Sequence, residues 1–153
     1  MKNLNSLVYL AFGANIGNKT GNIKKAVNLL HKSGLVVCGL SPFYKNAPLL
    51  PCGISGETKN IISKMYFVNA LGLFKTSASP FKLLQITQKI EKLVGKKKLG
   101  HWMPRKIDID IILYKKVSSV KVVKMQTQSL SLPHPHYKNR SFVLNLFDKI
   151  EYV

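Results

Sequence analysis

Two carboxylates, Asp108 and Asp110, stand two residues apart in a mostly apolar stretch, residues 106–113. On a β-strand this spacing places both side chains on the same face. Neighbouring like charges repel, and the chain has only six acidic residues against 24 Lys and Arg, so the pair suggests a shared divalent cation. Magnesium prefers such oxygen ligands and usually completes its shell with water and substrate phosphates. The pair therefore predicts a magnesium site for a nucleotide, unless it is only the solvated face of a half-buried strand.

The chain contains two arginines, Arg105 and Arg140, among its 24 basic residues. Arginine presents a planar fork of donors that binds a phosphate through two hydrogen bonds, whereas lysine acts as a point charge. Arg105 lies just before the two aspartates, and Arg140 lies in a second run of His, Arg and aromatic residues, 132–144. We therefore interpret both arginines as phosphate ligands.

Apolar spacing and capping residues predict the elements that position these side chains. Residues 7–12, 35–40 and 65–74 predict strands, and residues 45–64 predict a long loop. The buried face of a first helix is marked by four residues, Ile23, Ala26, Val27 and Leu30. Ser79 and Pro80 start a second helix, which Gly95 ends. Its predicted buried face consists of Leu83, Ile86, Ile90 and Leu93.

Together with the strand of the two aspartates, these elements follow the order βαββαβ. This is the ferredoxin-like α+β arrangement, in which helices pack on an antiparallel sheet. Residues 117–125 are a candidate for an extra edge hairpin strand, and residues 141–150 for a final short helix. The length of 153 residues predicts a single domain over residues 1–153.

Composition limits the possible function classes. The net charge of +18 suggests nucleic acid, but the lysines are scattered along the chain, so we favour biased base composition as its cause and predict no nucleic-acid partner. Cys38 and Cys52 fit neither a disulfide framework nor a metal motif, which predicts a reducing cytoplasm. No apolar run approaches the roughly 20 residues of a membrane span. We expect a cytoplasmic monomer without a membrane partner.

The motifs together resemble those of 6-hydroxymethyl-7,8-dihydropterin pyrophosphokinase, a folate-pathway family that transfers pyrophosphate from ATP to a pterin alcohol. The resemblance covers nearly the whole chain. It rests on YLAFGANIGN at residues 9–18, SPFY at 41–44, APL at 47–49, FVN at 67–69, QKIE at 88–91 with Gly95, WMPRKIDID at 102–110, PHP at 133–135 and RSFVL at 140–144. It implies a ferredoxin-like fold, ATP as co-substrate, two magnesium ions and AMP as the leaving product. Family members are sometimes fused to dihydropteroate synthase, which is therefore a possible fusion or functional partner.

The same resemblance implies roles for individual residues. The catalytic residues would be Arg105, Asp108, Asp110 and Lys96, which stands where the family usually has arginine. Of these, Asp108 and Asp110 would hold the metal. The ATP site would contain Gln88, Trp102, Arg105, His134 and Arg140, with Trp102 on a lid that covers the ligand. The pterin would contact Gly13, Asn46, Pro48, Leu49, Phe67, Asn69 and Phe142. For Glu91, a solvated position on the helix is as good an interpretation as a role in the site.

Two other function classes compete with this one. Residues 13–20, GANIGNKT, match the phosphate-binding P-loop except that Asn18 replaces its last glycine. That motif belongs to parallel βαβ units, whereas the predicted sheet is antiparallel. The βαββαβ order also occurs in RNA-recognition modules, but their aromatic strand signature is missing around Phe67. We therefore expect neither a P-loop kinase nor an RNA-binding module.

Overall fold

The sheet is organised around its first strand, β1 (Ser6–Ala14), which is central and largely buried. The computed structural model describes residues 4–48, 52–63, 65–95, 104–119 and 121–153. Their elements after β1 are α1 (Lys19–Lys32), β2 (Val36–Leu40), β3 (Tyr44–Asn46), α2 (Gly56–Ser63), β4 (Phe67–Thr76), α3 (Pro80–Val94), β5 (Asp108–Lys116), β6 (Met125–Gln126), β7 (Ser131–Leu132), a 3-10 turn (Tyr137–Asn139), α4 (Ser141–Phe147) and β8 (Glu151–Tyr152).

The main sheet has the strand order β5-β1-β4-β2-β8, with the short β3 also paired to β4. Each of these pairs is antiparallel. The four strands β5, β1, β4 and β2 reproduce the order of the ferredoxin-like fold, which confirms the predicted fold class. Since β1 runs antiparallel to both of its neighbours, it does not form the parallel βαβ unit that a P-loop requires.

The two faces of the sheet are covered by different helices. On one face, α1 and α3 pack over side chains that include Phe12 and Phe74, and this cluster forms the larger core. On the other face, α4 packs over a smaller cluster that includes Leu71 and Ile112. On that second face, Gly13 near the end of β1 is only partly buried by the residues that the structure describes.

The capping predictions for α3 are confirmed, and α1 has a side-chain cap as well. Asn18 Oδ1 accepts a hydrogen bond from Gly21 N at the start of α1, and Ser79 Oγ accepts one from Lys82 N at the start of α3. Gly95 ends α3 with φ of 112°, a left-handed conformation that glycine adopts without steric cost.

Three local predictions differ from the structure. The predicted loop over residues 45–64 contains α2, an eight-residue helix without a buried residue, so it lacks the apolar periodicity that a sequence can reveal. Leu93 is 56% exposed, because the buried face of α3 runs through Thr87, Glu91 and Val94 instead. Residues 117–125 contribute one bridge to the edge of β5, between Lys115 and Val122, and the hairpin strands β6 and β7 form a separate sheet.

Candidate active site

A row of three residues crosses the sheet where β1, β4 and β5 lie side by side. Gly13 pairs with Asn69 of β4 on one side and with Asp108 of β5 on the other. Two residues along the same strand, Ala11 pairs with Asp110. Because alternate residues of a strand share a face, Asp108 and Asp110 lie on the face that α4 covers in part. This arrangement confirms that the two carboxylates lie together.

Each aspartate is paired with one of the two arginines. Arg105 Nη1 lies 2.9 Å from Asp108 Oδ2, and Arg140 Nη1 lies 2.6 Å from Asp110 Oδ2. All four side chains are between 27% and 35% exposed, so solvent and ligands can reach them. An ion pair exposed to this degree contributes about 1 kcal/mol or less. The arginines therefore neutralise the carboxylates in the free protein. Because each ion pair contributes so little free energy, a ligand that binds these side chains can replace it.

The segment that carries Arg105 is fixed to the loop after β1 by two hydrogen bonds. Asn15 Oδ1 accepts a hydrogen bond from Arg105 N at 2.6 Å, and Asn15 N donates one to Arg105 O at 3.1 Å. Asn15 is buried, with 7% of its surface exposed. The position of Arg105 beside the aspartates thus depends on a residue 90 positions earlier in the chain.

The open side of edge strand β5 is occupied by groups from other elements. Glu91 Oε1, on α3, accepts a hydrogen bond from Ile109 N at 2.7 Å. His134 N donates to Ile112 O at 2.9 Å, which ties the turn before α4 to the same strand. These contacts bring His134 and Arg140 beside Asp110.

The imidazole of His134 is largely neutral at physiological pH. Burial lowers its pKa from the ordinary 6.5, and the nearby positive charge of Arg140 and the ring of His136 lower it further, while Asp110 opposes the shift. His134 Nδ1 accepts a hydrogen bond from His136 N at 3.2 Å. In a neutral ring with this tautomer the proton resides on Nε2, which leaves that nitrogen as a hydrogen-bond donor.

Across Gly13 from Asp108, the same face of the sheet has polar and aromatic side chains suited to a flat heterocycle. Asn69 is buried and its Nδ2 donates a hydrogen bond to Asn46 Oδ1. A Cβ atom at Gly13 would lie 3.1 Å from Asn69 Oδ1, so glycine leaves the room that this amide needs. Phe67 and Phe142 are partly buried, on β4 and α4 respectively.

The remaining predicted residues are placed unevenly. Pro48 follows β3 and is partly buried, whereas Gln88 is an exposed residue of α3. Leu49, Lys96 and Trp102 lie outside the described residues. Glu91 is buried, with 6% of its surface exposed, so the solvated interpretation of this residue was wrong. A signal for it was present, because a carboxylate three residues before the end of α3 falls on the helix face that meets β5.

Two carboxylates are too few protein ligands for a metal centre that is complete without substrate. Within the described ranges, no group of three or more His, Cys, Asp or Glu side chains could hold a metal ion. Two carboxylates that share one face do fit magnesium that arrives with a nucleotide, since phosphates and water then supply the other ligands.

The helices of the described residues include none that is long and apolar enough to span a membrane.

Comparisons with known proteins agree on one family. The model of the 7,8-dihydro-6-hydroxymethylpterin-pyrophosphokinase (HPPK) family matches residues 9–152. The chain is 34% identical over 142 residues to the 2-amino-4-hydroxy-6-hydroxymethyldihydropteridine pyrophosphokinase of Bacillus subtilis, covering 92% of this chain and 75% of that protein. It is 33% identical to the protein of the same name from Aquifex aeolicus, over 94% of this chain and 79% of that protein.

Longer proteins contain a similar region. An Arabidopsis thaliana folate synthesis bifunctional protein is 31% identical over 137 residues, which are 22% of its length. Among solved structures, a Plasmodium falciparum HPPK-DHPS has a TM-score of 0.63 over 97% of this chain and 39% of that chain. At 18% sequence identity, this likeness supports the fold alone.

Proposed function

Because the chain belongs to the 7,8-dihydro-6-hydroxymethylpterin-pyrophosphokinase family, we propose that the face shared by β1, β4 and β5 is its active site and uses magnesium. The activity of the family is the transfer of pyrophosphate to hydroxymethyldihydropterin in folate biosynthesis. In this reaction the hydroxymethyl oxygen attacks the β-phosphorus of ATP in line, and AMP leaves. The observation that supports the proposal is the row in which Gly13 pairs with both Asn69 and Asp108, since the amide expected to bind pterin then lies one strand away from a carboxylate expected to bind magnesium.

Asp108 and Asp110 would hold the magnesium ions that accompany ATP. Bound there, magnesium would neutralise phosphate charge and lower the pKa of the attacking hydroxyl. In the free protein the two aspartates pair with Arg105 and Arg140. When ATP binds, each arginine would exchange its carboxylate for a phosphate oxygen, and the two carboxylates would hold the metal. Each of these partly exposed side chains would thus keep an oppositely charged partner when ATP binds.

His134 would add a neutral donor to the phosphate-binding groups. Its lowered pKa keeps the ring uncharged, so its Nε2–H can bind a phosphate oxygen while Arg105 and Arg140 supply the positive charge. With positioned donors and charge neutralisation, catalysis needs no covalent intermediate. Lys96 remains an expected catalytic residue from the resemblance, and Trp102 and the exposed Gln88 remain expected ATP-site residues.

The pterin would lie over Gly13, against the amides of Asn69 and Asn46. The Asn69 side chain presents both a donor and an acceptor to a heterocycle edge, and Gly13 leaves that edge accessible. Phe67 and Phe142 would stack on the ring, since aromatic pairs gain from offset or edge contacts. Pro48 and Leu49 complete the expected set of pterin contacts.

A cytoplasmic location and a monomeric state remain proposals, based on composition and cysteine content. Dihydropteroate synthase remains a proposed fusion or functional partner. This chain spans 39% of the Plasmodium falciparum HPPK-DHPS chain that it resembles in fold. Nucleic acid is not a proposed partner.

Product analysis tests the proposal directly. Purified protein incubated with magnesium, ATP and 6-hydroxymethyl-7,8-dihydropterin should yield equal amounts of AMP and pterin diphosphate. A reaction without pterin is the control for ATP hydrolysis, and EDTA should stop turnover until magnesium is restored in excess. ADP as the nucleotide product, or full activity in EDTA, would contradict the proposal.

A further inference from the structure

The backbone between Arg105 and Asp110 is held by two buried side chains from distant parts of the chain. Asn15 Oδ1 accepts a hydrogen bond from Arg105 N, at 2.6 Å, and Glu91 Oε1 accepts one from Ile109 N, at 2.7 Å. Asn15 and Glu91 are 7% and 6% exposed. Both bonds end on the short segment that presents the proposed metal ligands.

Glu91 contacts the strand of the proposed metal ligands from the opposite side of the sheet. Ile109 lies between Asp108 and Asp110, and its side chain belongs to the core under α1 and α3, on the opposite face from the two carboxylates. Glu91 is on α3, so it contacts the peptide that connects the two ligands without standing among them. A buried carboxylate is costly unless its hydrogen bonds are satisfied, so its place beside this amide needs a specific reason.

We propose that Asn15 and Glu91 are positioning residues, which set the backbone of residues 105–110 so that Asp108 and Asp110 can share metal ions with ATP. This inference rests on the proposed function. Magnesium accepts only a narrow range of ligand distances and angles, so a small shift of this strand end weakens binding. Residues that orient metal ligands typically change metal affinity by about 10- to 100-fold when they are replaced.

The test measures metal binding rather than turnover. The affinity for Mn²⁺ together with α,β-methylene-ATP is determined from the paramagnetic resonance signal of free Mn²⁺. Glu91→Leu and Asn15→Leu, which remove the acceptor at similar size, should each raise the Kd by about tenfold or more. Glu91→Gln and Asn15→Asp keep an acceptor oxygen and should stay within about threefold of the wild type. The Ile109 amide should exchange faster in Glu91→Leu than in Glu91→Gln.

Thr87 provides a matched control on the same helix. It is 1% exposed, and its hydroxyl donates to Leu84 O at 2.9 Å, within α3. Thr87→Val should lower the melting temperature and leave the Kd for Mn²⁺ unchanged. If a leucine variant does not fold, the corresponding alanine variant takes its place in the comparison.

Different results would contradict the positioning roles and the proposed metal site. Folded variants of Asn15 and Glu91 without an acceptor that bind Mn²⁺ as tightly as the wild type would overturn the positioning roles, as would an equal loss in Thr87→Val. Asp108→Asn serves as the reference, because it removes a proposed ligand. If Asp108→Asn itself leaves Mn²⁺ binding intact, the proposed metal site is wrong.

Discussion

The substitution Gly13→Ala separates pterin binding from stability. Gly13 lies in the extended backbone of β1, where alanine is sterically allowed, and alanine in a strand interior is more stable than glycine by about 0.5–1 kcal/mol. The added Cβ would lie 3.1 Å from Asn69 Oδ1, below the 3.4 Å at which ordinary contact begins. The amide of Asn69 must therefore move by about 0.3 Å, the difference between these distances.

That displacement has a calculable effect on the proposed pterin site. A neutral hydrogen bond contributes about 0.5–1.5 kcal/mol, and leaving a buried donor or acceptor unsatisfied costs about 1–3 kcal/mol. Misplacing the Asn69 amide should thus raise the Kd for pterin by about tenfold or more, since 1.4 kcal/mol corresponds to that factor. The free energy of unfolding should change by no more than about 1 kcal/mol.

The assay is calorimetric titration of pterin into protein that is saturated with magnesium and α,β-methylene-ATP, with thermal unfolding measured in parallel. Gly72→Ala is the control with the opposite signature. Its Cβ would lie 2.6 Å from Phe74 Cε2, so it should destabilise the fold by about 1–3 kcal/mol through overpacking and leave the Kd for pterin unchanged. An unaltered pterin affinity in Gly13→Ala would refute the placement of the pterin over this strand.

Three further predictions address the phosphate side of the site. Asp108→Asn and Asp110→Asn should each remove most of the activity while circular dichroism stays that of the wild type, because each replaces a charged ligand by one of the same shape; full activity in either would count against the metal pair. Lys19→Ala should keep near-normal activity in a steady-state assay, because Lys19 Nζ packs on the ring of Tyr66, 3.9 Å from its centroid, and β1 offers no P-loop geometry; loss of turnover would revive the P-loop interpretation. For His134, nuclear magnetic resonance should give a pKa below 6.5 in the free protein, mainly because burial disfavours the imidazolium. Between that pKa and 6.5, His134 binds more protons in the unfolded chain than in the folded protein, so the free energy of unfolding should rise with pH across this window. The rise should be smaller in His134→Gln. A pKa of His134 above 6.5 would reverse the sign of this dependence.

The fold was predictable because its signals are local. Apolar periodicity located the strands, and residues such as Ser79 and Gly95 located the ends of α3 by their capping chemistry. The four-strand order followed from the known ways of joining these elements. Helix α2 and strand β8 were missed, since one buries nothing and the other has only two residues.

The candidate site was predictable only where chemistry shows in residue type. Asp108 and Asp110 stood out because carboxylates are scarce in this chain, and the arginines for the same reason. The pairing of Arg140 with Asp110 and the backbone bond to Asn15 join residues 30 and 90 positions apart. Such contacts depend on how the strands pair in the sheet, so no local sequence pattern predicts them.

The central position of β1 has a consequence for how the chain folds. β1 is synthesised before its partners β4 and β5, which extend to residues 76 and 116. Contacts between residues so distant in sequence lose chain entropy by loop closure before they stabilise the fold. This entropy loss slows folding. Until β5 has been made, one edge of an apolar strand that contains Val8, Leu10 and Phe12 stays unpaired and open to aggregation. Pairing of β5 with β1 both covers this edge and brings Asp108 beside Gly13, so the same step of folding would protect the strand edge and assemble the candidate site.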